Sequence, residues 1–336
     1  MKRILYVGNN LKSKNSNVSS IQVLGSLLKQ EGYTLHFASS KVNKVLRLLD
    51  MMFTFFKYQR HVDYVIIDTY STHNFYYALI ISQLCRLFKV NYITSLNGGN
   101  LPARLKRDPF LCGLIFNNSY VNVTPSLYLK DAFENYGYPN LVYIPNTIVI
   151  DNYTIAPKSF DTIKLLWVRS FAKIYNPTMA IIVLKTLIDK GYTAELCMVG
   201  PDSDGTLQDV IEFANELKVP VTITGKLPKS EWIALAKNYN IFINTTNFDN
   251  MPVSVIEAMA LGLAIVSTNV GGIPYLLANE VDGLLVQKND MAEMVNAILN
   301  IVTHQADTKR RILNARHKVE FFDWETIKQK WNAVLT

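Results

Sequence analysis

IKLLWVRS (163–170) repeats, near the middle of the chain, the move with which the chain opens, RILYVG (3–8). Each is a short run of aliphatic, aromatic and β-branched residues with little alternation, the pattern of a strand buried on both faces. RILYVG is closed by Gly8 and Asn9. It is followed by SSIQVLGSLLKQE (19–31), whose apolar positions 21, 23, 24, 27 and 28 form a helical stripe that Gly32 stops. TLHFAS (34–39), DYVIIDTY (63–70), VNYITSLNGG (90–99), YVNVTPS (120–126) and LVYIPNT (141–147) are further strands, with a helix over 75–88 among them. After IKLLWVRS come AELCMVGPD (194–202), VTITG (221–225), NIFINTT (240–246), LAIVSTNVGG (263–272) and GLLVQ (283–287). Strand and helix in alternation mean βαβ units and a parallel sheet covered on both sides. A second start means a second sheet.

The reading is therefore α/β, two doubly wound Rossmann-like domains facing a cleft, spanning 1–155 and 156–320. The boundary near residue 155 falls in NTIVIDNYTIAPKSFD (146–161), which is polar and has little periodicity. A last helix over 324–335, with Asp323 as its N-cap, belongs to a terminal segment, 321–336. Ligands of such domains gather at the carboxyl ends of the strands, so the cleft is the expected site.

Composition excludes several classes. The chain has 336 residues, 49% apolar and 18% charged, which is enough material for large cores and unlike a disordered or collagenous chain. Apolar runs such as YYALIISQL (76–84) fall well short of the roughly 20 residues that span a bilayer. MKRILYVGNN reaches Asn9 too early for a signal peptide. Cys85, Cys112 and Cys197 are widely spaced and form neither a disulfide framework nor a zinc motif. The expectation is a soluble, cytoplasmic protein. Its net charge of +7 is unevenly placed: residues 1–155 hold 16 Lys/Arg against 8 Asp/Glu, and residues 156–336 hold 18 against 19. All the excess lies in the first half. That asymmetry suits an anionic partner there, nucleic acid or an acidic membrane surface; a merely solvated basic face is the alternative.

No G-x-G-x-x-G follows the first strand, whose loop GNNLKSKNSNVSS has one glycine, and no phosphate-binding loop ending in Gly-Lys-Ser/Thr occurs. Dehydrogenase and NTPase readings drop away. The informative segment is NFDNMPVSVIEAMALGLAIVSTNVGGIP (247–274). Pro252 opens a helix at the first helical position, where its missing N–H costs nothing, and Gly262 stops it. The first turn then offers the amides of Val253, Ser254 and Val255 and the positive end of the helix dipole, an anion site suited to phosphate. Asp249 precedes the helix, and Glu257 lies roughly 7–8 Å along its axis at about 1.5 Å per residue. Carboxylates accept two hydrogen bonds from vicinal hydroxyls, so the layout matches sugar, diphosphate and ribose in order. A capped surface helix with two solvated acids is the competing reading.

The segment resembles the donor-site signature of family 4 glycosyltransferases, the group 1 type, whose fold is the two-domain GT-B arrangement. Their E-x(7)-E pattern matches as Asp249-x(7)-Glu257, followed by an apolar helix, a strand and the pair Gly271-Gly272. The resemblance extends over LLWVRSFAKIYNP (165–177), ELCMVGPD (195–202), VTITGKLPKSEW (221–232) and VTPSLYLKDAF…VYIPNT (123–147). It implies a retaining transfer of sugar from a nucleotide-diphosphate-sugar donor to a glycan or lipid-linked acceptor in bacterial surface polysaccharide biosynthesis. No metal or further cofactor is implied. Asp249 would contact the transferred sugar and Glu257 the ribose. Arg169 would clamp diphosphate oxygens with Lys173 as second cation, a structural ion pair being the alternative for each. Gly200, Leu227, Met251, Pro252, Val253 and Ser254 fall on the nucleotide side. The final helix would return to the N-terminal domain, which would take the acceptor near Gly8–Asn17, His73 and Asn97–Asn100.

The sequence departs from the family in four places. Lys173 lies four residues after Arg169 rather than five. Asp249 replaces Glu and shortens the reach by one methylene. Tyr275 stands where Glu is frequent. Asn97, in SLNGGNLP (95–102), replaces a His before Gly-Gly. Asn donates a hydrogen bond to a sugar hydroxyl but is neither acid nor base near neutral pH. These departures keep open a non-catalytic sugar-nucleotide-binding subunit. An epimerase or phosphorylase of the same fold is the other rival.

Asp202-Ser203-Asp204 spells D-x-D, read here as a polar turn before a helix. The five histidines show no metal spacing. KVNKVLRLLDMMFTFFKYQR (41–60) carries Lys41, Lys44, Arg47, Lys57 and Arg60 among nine apolar residues. Such a basic amphipathic helix either lies on an acidic membrane, at the inner face of the cell membrane, or packs on the first sheet with its cations in water. Nucleic acid is disfavoured because no recognition module is visible.

Overall fold

The computed structural model describes residues 2–11 and 19–336, which divide into two units. Met1–Asn146 with Trp324–Thr336 forms the first, and Thr147–Asp323 the second. Each is a six-stranded parallel sheet covered on both faces by helices.

In the first unit the chain runs β1 (Arg3–Val7), α1 (Ser20–Gln30), β2 (Thr34–Ala38), α2 (Lys44–Tyr58), β3 (Tyr64–Thr69), α3 (Asn74–Leu87) and β4 (Asn91–Leu96). It continues through α4 (Leu101–Arg107), α5 (Pro109–Phe116), β5 (Val121–Thr124), α6 (Leu127–Asn135) and β6 (Leu141–Tyr143). The strand order is β2-β1-β3-β4-β5-β6, so the direction of winding reverses between β1 and β3. Side chains alternate across the sheet because the strand period is two. Leu5, Val7, Val65 and Ile67 enter one core with Met51, Phe55 and Phe75; Ile4, Tyr6, Tyr64 and Ile66 enter the other.

The second unit contains β7 (Ile163–Val168), α7 (Pro177–Asp189), β8 (Ala194–Val199), α8 (Thr206–Leu217), β9 (Val221–Gly225), α9 (Lys229–Ala236) and β10 (Ile241–Asn244). Then follow α10 (Val253–Ala260), β11 (Ala264–Thr268), α11 (Ile273–Leu276), β12 (Leu284–Val286), α12 (Met291–Thr303) and α13 (Gln305–Glu320). Its order, β12-β11-β10-β7-β8-β9, reverses between β7 and β10. Leu165 and Trp167 pack on one face, Leu166 and Phe242 on the other.

The chain divides after Asn146, ahead of the sequence expectation of 155, because residues 147–153 already belong to the second unit. Thr147 Oγ1 donates to the Phe322 carbonyl at 2.9 Å, the Ile148 amide to the same oxygen at 3.1 Å, and the Ile150 amide to Asp323 Oδ1 at 2.9 Å. The outgoing and returning chains thus run side by side. α14 (Trp324–Leu335) begins immediately after this pairing, at the residues the sequence predicts for the last helix. Trp324, Ile327, Trp331, Val334 and Leu335 complete the core behind Ile4 and Tyr6.

Candidate active site

Open α/β sheets bind ligands where the winding reverses, because loops there leave in opposite directions and part. In the second unit that point is the carboxyl end of β7 and β10. Arg169 follows β7 and Asp249 lies in the loop after β10. Their side chains form an ion pair, each only 14% exposed. The Arg169 guanidinium also lies 4.2 Å from the centre of the Tyr175 ring. Asp249 Oδ1 accepts from the Asn250 amide at 2.8 Å, which sets the carboxylate in the turn. Arg169, expected either to clamp diphosphate or to form a structural ion pair, is paired here with Asp249, the other candidate.

Glycines make this geometry possible. A Cβ on Gly200 would overlap the carbonyl of Arg169, and Cβ atoms on Gly271 and Gly272 would overlap the carbonyls of Asp249 and Asn250. Gly271, at φ 53°, also needs the left-handed backbone. The Gly272 amide donates to the Asp249 carbonyl at 2.9 Å. The Gly-Gly pair is therefore the seat of the loop that carries Asp249.

α10 starts beside this loop. Pro252 is its N-cap, with φ −69° and ψ 118°, rather than the first helical residue. The Val255 amide donates to the Pro252 carbonyl at 3.1 Å, so it is not open to an anion as expected. The amides of Val253 and Ser254 begin the helix with no side-chain cap, and Ser254 Oγ is buried without a hydrogen-bond partner. One helical turn on, Glu257 is buried, and its Oε1 accepts from Tyr153 Oη at 2.7 Å and Lys229 Nζ at 2.6 Å. Burial and the Glu257 carboxylate push the Tyr153 phenol well above its ordinary range. Sequence reasoning missed Tyr153, in the aperiodic linker, and Lys229, one exposed Lys among many.

The remaining candidates sort by place. Met251 is buried and Leu227 half-buried against the same core as Val255. The Gly200 amide donates to the Gly225 carbonyl at 2.9 Å, closing the ends of β8 and β9 together. Lys173 is exposed on a 3-10 turn (Lys173–Tyr175); its amide donates to Asp204 Oδ2 at 3.0 Å. That turn is tied to the β10 loop, since the Asn247 amide donates to the Ile174 carbonyl at 2.7 Å. In the D-x-D turn, Asp202 Oδ1 accepts from the Gly205 amide and Asp204 Oδ1 from Thr206, whose hydroxyl holds the Asp204 carboxyl below its usual range. Tyr275 is exposed on α11.

In the first unit the reversal lies between β1 and β3. Asn97, after β4, donates from Nδ2 to Asp68 Oδ1 at 2.8 Å and to Ser95 Oγ at 3.2 Å. Asp68, on β3, is buried and also accepts from Tyr6 Oη at 3.0 Å. Burial pushes its carboxyl up to about 7, against the opposing pull of Tyr6, Asn97 and the Ile21 amide. Gly98 packs on the backbone of Tyr70 and Ser71, and Asn100 precedes α4. His73 is exposed at the start of α3. Of the expected stretch Gly8–Asn17, residues 12–17 lie outside the described residues. Asp68 is another miss. Its signal is a lone acid inside the apolar run YVIID (64–68).

Residues 162–304 match the family model of glycosyl transferases group 1, and the whole chain superimposes on solved structures of that two-domain fold. The likeness to group 1 glycosyl transferases thus lies in the second unit, and the likeness of fold extends over the whole chain. Among similar proteins, the amylovoran biosynthesis glycosyltransferase AmsK of Erwinia amylovora is 29% identical over 149 residues, 42% of this chain and 36% of AmsK. The capsular polysaccharide biosynthesis glycosyltransferase CapM of Staphylococcus aureus is 24% identical over 156 residues, 45% of this chain and 41% of CapM. These matches span well under half the length of the curated relatives. Sucrose-phosphate synthase from Thermosynechococcus elongatus superimposes with a TM-score of 0.83 at 16% identity, covering 99% of this chain and 98% of that chain. Anabaena HepE, solved in complex with UDP and glucose, does so with a TM-score of 0.80 at 14% identity, covering 100% and 99%. Both place the GT-B fold.

Proposed function

We propose that this protein is a retaining glycosyltransferase that moves a sugar from a nucleotide-diphosphate-sugar donor to a glycan or lipid-linked acceptor in bacterial surface polysaccharide biosynthesis. The observation that carries it is the reversal point of the second sheet. There a cation, a carboxylate, two bare helix amides and a deeper carboxylate stand in the order that diphosphate, sugar and ribose require. The second unit binds donor. Arg169, released from Asp249 when the diphosphate arrives, neutralises the leaving group, with Lys173 as second cation. The amides of Val253 and Ser254 take the diphosphate oxygens. Asp249 takes sugar hydroxyls, and Glu257, fixed by Tyr153, takes the ribose. Gly200, Leu227, Met251 and Pro252 line the nucleotide side. The first unit takes the acceptor, with Asn97 positioning a sugar hydroxyl. No metal is required. Relatives named for amylovoran and capsular polysaccharide biosynthesis support the pathway class, and HepE, solved with UDP and glucose, supports the donor class.

The protein works in the cytoplasm at the inner face of an acidic membrane. No helix among the described residues is long and apolar enough to cross a bilayer. α2 instead offers a surface contact. Arg47, Met51 and Phe55 face inward, while Leu46, Leu49, Phe53 and Phe56 recur at helical spacing on the outside, Phe53 being 69% exposed. Phe88 meets Phe56 edge-on and extends the patch, and Lys41, Lys44, Lys57, Arg60 and Lys89 are exposed on the same stretches of chain. An apolar stripe accompanied by cations suits anionic headgroups over acyl chains.

A thermal-shift panel of sugar nucleotides tests the donor assignment. A ligand at 100 times its Kd adds about 2.7 kcal/mol of stability. At least one activated sugar is expected to raise the melting temperature, and Glu257→Ala to abolish the rise. Indifference to every sugar nucleotide overturns the reading.

A further inference from the structure

The carboxyl of Asp68 is used on one side only. Oδ1 accepts from Tyr6 and Asn97, whereas Oδ2 is buried and has no hydrogen-bond partner among the described residues. The Ile21 amide lies near enough to favour the carboxylate but makes no hydrogen bond to it. A buried carboxylate oxygen left bare is costly unless something fills the place. Next to it a small, partly open pocket is lined by Asp68 with Gly8, Asn9, Tyr70, Asn74 and Tyr77 among others. Gly8 keeps that side of Oδ2 clear of protein, since a methyl group there would overlap it. The pocket sits where the first sheet reverses its winding, between β1 and β3, which is where such sheets place ligands.

We propose that Asp68 is the hydroxyl-binding group of a sugar subsite in the first unit: Tyr6 and Asn97 hold Oδ1, and Oδ2 accepts a hydrogen bond from a hydroxyl of a carbohydrate seated beside Gly8. The ligand class is a neutral polyol, a pyranose presenting an O–H. The inference deepens the acceptor-side reading and rests on it for the identity of that carbohydrate as acceptor. Neutral donors flank the carboxyl throughout. Tyr6 comes from β1 and Tyr70 from the end of β3. Asn97 and Ser95 come from the β4 side, and Asn74 and Tyr77 from α3. On α2, the nearby cation Arg47 is committed to Asn9 Oδ1 and to the carbonyls of Lys41 and Val42. Among the described residues no cation pairs with Asp68, and its charge is held there by hydroxyl and amide donors. One more donor from a ligand stabilises the carboxylate and lowers its pKa, so ligand binding and proton release are linked.

The test uses the full chain and methyl glycosides of glucose, galactose, mannose and N-acetylglucosamine as probes. Binding is followed by saturation-transfer NMR, and the ionisation of Asp68 by its ¹³Cγ shift in aspartate-labelled protein. At least one glycoside is expected to bind about tenfold more tightly at pH 8 than at pH 6, following the ionised fraction of a group titrating near 7. The same glycoside should move the Asp68 titration to lower pH. Asp68→Asn should remove the pH dependence, and Gly8→Ala should block binding. If no glycoside binds, or the Asp68 titration is unmoved at saturation, the subsite is wrong. The wild-type titration needs neither variant to fold. Sugar-nucleotide binding is read separately by thermal shift, so a failed donor site and a failed polyol subsite give different results.

Discussion

Both sheets reverse their winding around a carboxylate, but the two carboxylates live under different rules. In the second unit Asp249 faces Arg169 in an ion pair; in the first Asp68 faces Tyr6 and Asn97, and burial pushes its carboxyl up to about 7. An anionic diphosphate needs a cation waiting for it, and a carboxylate keeps that cation in place until exchange. A neutral carbohydrate needs no counter-charge. What it needs is an acceptor with a spare lone pair. On the proposed reading, the same topological position is fitted to two chemistries by the charge of its neighbours.

The glycines of the two sites offer the hardest way to break this contrast. Gly200 abuts the backbone carbonyl of Arg169, whereas Gly8 abuts only the Asp68 side chain. Gly200→Ala should therefore destabilise the second unit by at least about 3 kcal/mol, because backbone must move. Gly8→Ala should cost the first unit about 1–2 kcal/mol, because a carboxyl can turn. Denaturant titration followed by a fluorescent probe in each unit checks both, and equal losses would refute the distinction.

Removing the carboxylate of the ion pair comes next. Asp249→Asn strands Arg169 in a mostly buried place and should lower stability by about 2 kcal/mol, less than a fully buried pair would lose. Donor turnover should fall by at least a hundredfold if Asp249 also grips the sugar. Calorimetry and release of nucleoside diphosphate read the two effects separately.

Asp68 behaves in the opposite sense. Its folded pKa, about 7, lies above its ordinary 3.8, so the folded state holds a proton that the unfolded state has shed between those values. The group's contribution to stability is therefore fully present below about pH 4. It declines as pH rises and is gone above about 7, a span of roughly 4 kcal/mol. Asp68→Asn should flatten that decline and be the more stable protein at pH 8. Melting curves from pH 5 to 8.5 suffice, and parallel slopes in wild type and variant would end the argument.

The smallest expected effect is on the surface of α2. Phe53→Ser should change stability by less than about 0.5 kcal/mol, since Phe53 is exposed, yet it should weaken sedimentation with vesicles rich in phosphatidylglycerol. Undiminished vesicle binding would assign the stripe to something other than lipid.

Much of this was legible in the sequence because its signals are local. Unbroken apolar runs identify strands of two buried parallel sheets, and NFDNMPVSVIEAMALG carries its loop, cap and helix within one segment. Features built from distant residues were not legible. The pairing of Arg169 with Asp249 and the hold of Tyr153 on Glu257 each join residues 80 or 104 positions apart. The Gly-Gly pair was recognisable, but its task of seating the Asp249 loop depends on backbone approach that residue types do not reveal. Pro252 proved to be the cap rather than the first helical residue, because the chain enters α10 extended and turns only at Val253. Asp68 was passed over as one polar position in a strand.

The returning helix α14 has a consequence for biogenesis. The core behind Ile4 and Tyr6 is closed by Trp324, Trp331 and Leu335, which leave the ribosome after the entire second unit has been translated. The earliest-made sheet therefore waits, with an apolar flank unsealed, while a later-made one completes itself. A chain released before residue 324 would hold the whole second unit and a first unit without its closing helix, and it is the latter that chaperones would be expected to grip.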